Sequence, residues 1–123
     1  MKVDGMLGWQ LDAVGDEAAA LEELGYAGAM SVETAHDPFF PLLVAAQRTK
    51  DIDLMTSIAV AFARSPMTLA NIAYDLQLAS KGRMILGLGL GARGSGGWQG
   101  SVHRHGQGRG RHCCSDAAAR LRV

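Results

Sequence analysis

Along the first three-quarters of the chain the apolar positions switch between two spacings, and the switching predicts alternating strands and helices. Residues 2–7 read as a first strand, interrupted in polarity by Asp4 and Gly5. Asp12 is placed to cap a helix whose stripe is Val14, Ala18, Leu21 and Leu24, with Asp16 and Glu17 where the helix dipole favours acids and Gly25 as its stop. Residues 26–33 (YAGAMSVE) form a second strand of small residues. Pro38 opens a second helix, with Phe39, Leu42, Leu43 and Ala46 on its buried side. Residues 52–62 (IDLMTSIAVAF) read as a third strand, favoured by Ile58 and Val60.

The stretch 64–91, RSPMTLANIAYDLQLASKGRMILGLGLG, joins a helix to a strand. Ser65 can cap, and Pro66 suits the first turn because its missing N–H has no partner there. Leu69, Ile72, Ala73, Leu76 and Ala79 or Ser80 repeat at helical spacing, and Gly82 provides the left-handed stop. Residues 84–90 (MILGLGL) are apolar without alternation, as in a strand covered on both faces. Strands separated by single helices run parallel with right-handed crossovers, in a barrel or in an open sheet.

Beyond residue 91 the pattern ends. The chain has 123 residues and formal net charge zero, but the charge is divided. Residues 1–91 carry six Lys or Arg against eleven Asp or Glu, whereas residues 92–123 carry six Arg against one Asp. This Gly-, Arg- and His-rich tail has too few apolar residues to offset the entropy of ordering, which predicts disorder. Its composition also resembles a shifted reading frame of GC-rich coding DNA, so the chain is read as a fragment with a frameshifted end. Sequencing the parent DNA tests this, and no continuation of the pattern in any frame contradicts it.

Hydrophobic residues make up 48% of the chain, a globular value. No apolar run is long enough to cross a bilayer, and no charged-then-apolar leader precedes the first strand, so the default location is the cytoplasm. Cys113 and Cys114 are sequence neighbours and suggest no disulfide framework. With His103, His105 and His112 they match no standard zinc spacing, so no metal is assigned. The tail's arginines suit nucleic acid by charge, but Trp98 is its one aromatic for stacking bases, which argues against that partner.

The pattern P-x-x-x-A-x-x-x-x-x-L-x-x-x-S-x-G-R-x-x-L-G-L-G-x-G is met by Pro66, Ala70, Leu76, Ser80, Gly82, Arg83, Leu86, Gly87, Leu88, Gly89 and Gly91. It resembles the luciferase-like monooxygenase superfamily, and the resemblance runs from residue 1 to about 91. The stretches ETAHDPFFPLLVAA and TSIAVAFARSPMTLA are similar to its deazaflavin (coenzyme F420) branch. The resemblance implies an α/β fold, the N-terminal half of a (β/α)8 TIM barrel with four parallel strands and three helices, ahead of a disordered tail. A whole barrel takes ~250 residues.

It also implies a flavin- or F420-dependent oxidoreductase acting on a small molecule, with F420 as cofactor and FMN as the alternative. Barrel sites lie in the loops after the strands. His36, after the second strand, is the implied catalytic group, a proton exchanger near neutral pH. Asp37 is either the cap of the second helix or a catalytic acid, and is counted with the cofactor-site residues. Glu33 faces either the interior or the site. Ser57–Ile58 matches the position of a non-prolyl cis peptide that backs the flavin ring, with Ala59 beside it, although the family more often has glycine there. Gly87, Gly89 and Gly91 sit in and after a strand, unlike a dinucleotide loop that opens a helix; they read as close packing, with Gly91 a candidate cofactor contact.

Phosphate loops of barrels usually follow strands seven and eight, which lie beyond these four. The expectation is a truncated form with weak or no activity and with open sheet edges prone to association. The alternatives are a binding module with a nucleic-acid-binding tail and a half-barrel that pairs with itself.

Overall fold

The computed structural model describes residues 2–90 and 117–119. Its elements run β1 (Asp4–Met6), α1 (Val14–Glu23), β2 (Gly28–Ser31), α2 (Phe39–Arg48), β3 (Asp53–Thr56), β4 (Ala59–Val60), a 3₁₀ turn (Ala61–Ala63), α3 (Pro66–Ala79), β5 (Met84–Gly89) and β6 (Ala117–Ala119). β1, β2, β3 and β5 are successive parallel neighbours, and β4 also pairs parallel with β5. α1 packs on α2 and α2 on α3, so the helices form one layer.

The register explains which side chains meet that layer. Gly5, Ala29, Leu54 and Met84 lie in one row across the sheet, and all are buried. The next row, Met6, Met30, Met55 and Ile85, points to the opposite face. Met30, Met55 and Ile85 are half-buried there, and Met6 is 69% exposed. Val14, Ala18, Leu42, Ala45, Leu69 and Leu76 complete the core from the helices. Gly15 allows α1 to approach α2, because a Cβ there would stand 2.9 Å from Arg48 Cγ.

Several predicted details differ. Asp12 does not cap α1: Ala13 holds the cap position without a side-chain bond, and Gln10 O accepts from the amides of Ala13 and Val14 instead. Leu24 is 76% exposed and Leu43 38%, so neither belongs to its helix's buried stripe. Ser65 caps α3 as its sequence predicts, its side chain accepting from Thr68 N at 3.2 Å. Gly25 ends α1 with φ +82°, its amide bonded to Glu22 O and that of Tyr26 to Leu21 O. The same bonding closes α3, but there Lys81, at φ 53°, takes the left-handed position expected for Gly82, which follows at φ +88°.

The expected third strand is broken in two. β3 pairs with β5 through Leu54↔Met84 and Met55↔Ile85, and β4 through Ala59↔Leu88 and Val60↔Gly89. Four steps along β3–β4 therefore face three along β5, which defines a bulge at residues 56–58. The Ser57–Ile58 peptide within it is cis. Thr56 Oγ1 donates to Gly87 O and accepts from Gly87 N, both at 2.8 Å, and so carries the sheet across the bulge. A Cβ on Gly87 would overlap the Thr56 carbonyl oxygen, and one on Gly89 would overlap Ile58 Cδ1. Those glycines are close packing, as read from the sequence.

Within the tail, Ala117–Ala119 lies antiparallel to β5 over Leu86–Leu88. That edge of β5 is covered there, whereas β1 ends the sheet on the other side.

Candidate active site

Because the strands are parallel, residues following β1, β2 and β4 emerge at one end of the sheet. Trp9 after β1 meets His36 after β2, with ring centroids 4.5 Å apart and planes 9° from parallel. Both residues are exposed. Gly8 is fixed below them by its amide, which donates to Glu17 Oε2 at 2.9 Å.

On either side of His36 the chain is tied down, at Glu33 and at Asp37. Pro38, not Asp37, holds the cap position of α2, but Asp37 Oδ1 accepts from Phe39 N at 2.8 Å just ahead of the first turn. Asp37 Oδ2 accepts from Arg64 Nη2 at 2.7 Å. Arg64 Nη1 donates to both oxygens of Glu33, at 3.1 and 2.8 Å, and the guanidinium lies 5.1 Å from the Phe39 ring centroid. The hydrogen bond to Glu33, opposed by burial and reinforced by Asp37, raises the Arg64 pKa above its ordinary value. Glu33 Oε2 also accepts from Val60 N at 2.7 Å. Glu33 thus faces the bulge and the guanidinium.

The bulge itself is bonded to β2. Ser57 N donates to Ser31 O at 2.7 Å, and Glu33 N donates to Ile58 O at 3.3 Å. Ser57 is exposed and Ile58 half-buried, whereas the Ala59 methyl belongs to the core. His36, Asp37, Ser57 and Ile58 are therefore brought to one rim. Gly91 lies outside the described residues, as do Trp98 and the histidines and cysteines of the tail. Among the described residues no cluster of His, Cys, Asp and Glu is placed to hold a metal ion, and no helix is long and apolar enough to cross a membrane.

Sequence reasoning missed Trp9 as the partner of His36, and Arg64 as the link between Glu33 and Asp37. The available signal was positional: an aromatic, two acids and an arginine all fall in loops after consecutive strands. Thr56 left no signal apart from the glycine it faces.

The signature residues Ser80, Gly82 and Arg83 lie at the opposite end. Arg83 donates to the carbonyls of Ala46, Thr49, Ile52 and Ser80 and to Thr49 Oγ1, at 2.7 to 3.3 Å. Burial lowers its pKa, against the pull of Glu22, Asp51 and Asp53. Glu22 accepts from the amides of Lys50, Asp51 and Ile52.

A row of parallel strands backed by helices, with its polar and planar groups gathered where the strands end, defines part of a (β/α)-barrel scaffold. The family model for luciferase-like monooxygenase matches residues 3–112, and the chain belongs to that family. The match continues past residue 91, where the recognisable sequence resemblance stops. Uncharacterized proteins of Mycobacterium bovis and Mycobacterium tuberculosis are 53% identical over 93 residues, covering 76% of this chain and 27% of each relative. The chain thus spans about a quarter of the length of these relatives. Among solved structures, the oxygenating constituent of 3,6-diketocamphane monooxygenase from Pseudomonas putida, in complex with FMN, is similar in fold. It has TM-score 0.68 and 22% identity over 75% of this chain and 30% of its own. Monooxygenase RslO1 from Streptomyces bottropensis follows, with TM-score 0.62 and 26% identity over 72% of this chain and 33% of its own.

Proposed function

We propose that the rim after β1, β2 and β4 is one side of a cofactor site in a flavin- or F420-dependent oxidoreductase, with F420 preferred over FMN. The observation that carries this reading is the placing of the Trp9–His36 stack and the Ser57–Ile58 bulge at one sheet end, with Glu33, three residues before His36, bonded to the bulge. The residues present fit a flat heteroaromatic ring: Ile58 offers an apolar surface, Trp9 and His36 offer planar ones, and Ser57 offers a polar edge. Such a cofactor supplies hydride transfer, or oxygen activation when it is a reduced flavin. The exposed His36 imidazole is placed to accept or return a proton. Ser57, Ile58 and Ala59 form the backing segment, and Asp37 orients the loop that bears His36 rather than acting as an acid.

Turnover by the 123 residues alone is expected to be weak or absent, since their relatives extend far beyond this segment. The exposed Met6, the half-buried Met30, Met55 and Ile85 beside it, and the β1 edge favour association between chains. A fluorescence titration with F420 and with FMN, paired with light scattering, tests both statements. Weak saturable binding by an associated species is expected. No binding of either cofactor removes the cofactor reading, and tight binding by a monomer contradicts the need for more of the barrel.

A further inference from the structure

The His36 loop and the β3–β4 bulge are far apart in sequence, yet one guanidinium governs both. Glu33 and Asp37 bracket Thr34, Ala35 and His36, and two carboxylates so close on one loop repel unless a cation lies between them. Arg64 fills that place: Nη1 bonds both Glu33 oxygens and Nη2 bonds Asp37 Oδ2. The Arg64 and Glu33 side chains are each 14% exposed and that of Asp37 is 31%, so solvent competes little at Glu33 and more at Asp37. The same Glu33 oxygen that meets Arg64 most closely accepts from Val60 N, and Glu33 N donates to Ile58 O. The chain of bonds therefore runs from the start of α2, through Asp37, Arg64 and Glu33, to both flanks of Ala59.

We propose that Arg64 is a positioning residue that locks the His36 loop to the Ser57–Ile58 bulge and thereby fixes the Trp9–His36 stack relative to it. The inference rests on the reading of this rim as the cofactor site only for its catalytic consequence; the locking itself is a property of the free chain. A planar guanidinium reaches two carboxylates with separate nitrogens in fixed directions. A lysine ammonium is a single point on a flexible stem and does not reproduce the fork. Arg64 does not need to touch the cofactor for its loss to be felt there.

The stack provides the readout. An imidazole proton over an indole ring resonates upfield of its position in free histidine. The Cε1–H signal of His36 is followed by NMR in the 123-residue chain, assigned by its disappearance in His36→Gln, with Trp9→Leu defining the unshifted position. Arg64→Lys is expected to lose most of the upfield shift, and Asp37→Asn part of it, because the amide still accepts from Phe39 N but loses the charge facing Arg64. Arg48→Ala, which breaks an exposed pair with Asp16, leaves the shift intact as the control. An unchanged His36 signal in Arg64→Lys overturns the proposal. Should that variant not fold, an unchanged signal in Asp37→Asn overturns it equally.

A parallel titration of the unsubstituted chain with FMN and F420 separates the two readings. A lost shift with no binding of either leaves the lock standing and removes the cofactor site. Binding of one together with an intact shift in Arg64→Lys does the reverse.

Discussion

The two ends of the sheet each carry an arginine among acids, and the two arginines are used in opposite ways. At the end where the helices finish, Arg83 and Glu22 bond almost entirely to backbone: carbonyls for the first, amides for the second. At the end where the strands finish, Arg64 bonds to side chains, and those side chains hold loops. Backbone groups at a helix end or a tight turn lose their partner when the side chain is removed, and no neighbouring side chain can replace it. A side-chain network has fewer such obligations. The residues that make the family recognisable in this stretch, Ser80, Gly82 and Arg83, therefore hold the scaffold, while the proposed cofactor site lies at the other end.

The largest expected effect is at the scaffold end. Arg83→Met removes the donors to four carbonyls, and urea denaturation should show a loss of about 3 kcal/mol. If the loss is no larger than for Arg64→Met, the contrast between the ends fails. Gly87→Ala should cost about 2 kcal/mol, because its Cβ meets the backbone of Thr56 and the bulge must open. Gly82→Ala has open space around it and only the φ of +88° to contend with, so its cost should be about 1 kcal/mol.

Glu22 sharpens the contrast through pH. Burial alone would raise its pKa, but the amides of Asp51, Ile52 and Lys50, with Arg83 nearby, outweigh burial and lower it. A carboxyl lowered in the folded state stabilises fully above its unfolded pKa, and that contribution disappears as pH falls through the folded value. Denaturation midpoints of the parent and Glu22→Gln should therefore differ at neutral pH and converge in acid. A gap constant with pH contradicts the assignment. The smallest effect expected has the opposite sign: Lys81→Gly relieves a left-handed residue and should stabilise by about 0.5–1 kcal/mol in the same assay.

Much of the scaffold was legible because it is local. The Ser65 cap, the Gly25 stop and the spacing of Leu69, Ala73 and Leu76 depend on neighbours within a turn. The broken third strand was not legible, since one additional residue leaves IDLMTSIAVAF as apolar as an unbroken strand would be. The resemblance alone drew attention to Ser57–Ile58, and the reason for the LGLG glycines appears only when Thr56 and Ile58 are seen against them. The rim was half legible. Loop positions after strands singled out His36 and Asp37, but Arg64 lies 27 residues from Asp37 and 31 from Glu33, beyond any local rule. Asp12 shows the converse failure: a good capping residue is unused because Gln10 already supplies the acceptor.

The division of labour between the ends is tested most directly by mapping backbone amide shifts in the 123-residue chain while F420, and separately FMN, is added. The account predicts that the perturbed amides cluster at residues 8–9, 33–37 and 57–60, with 48–52 and 80–83 unmoved. Perturbation centred on Glu22 and Arg83, or at neither end, would contradict it.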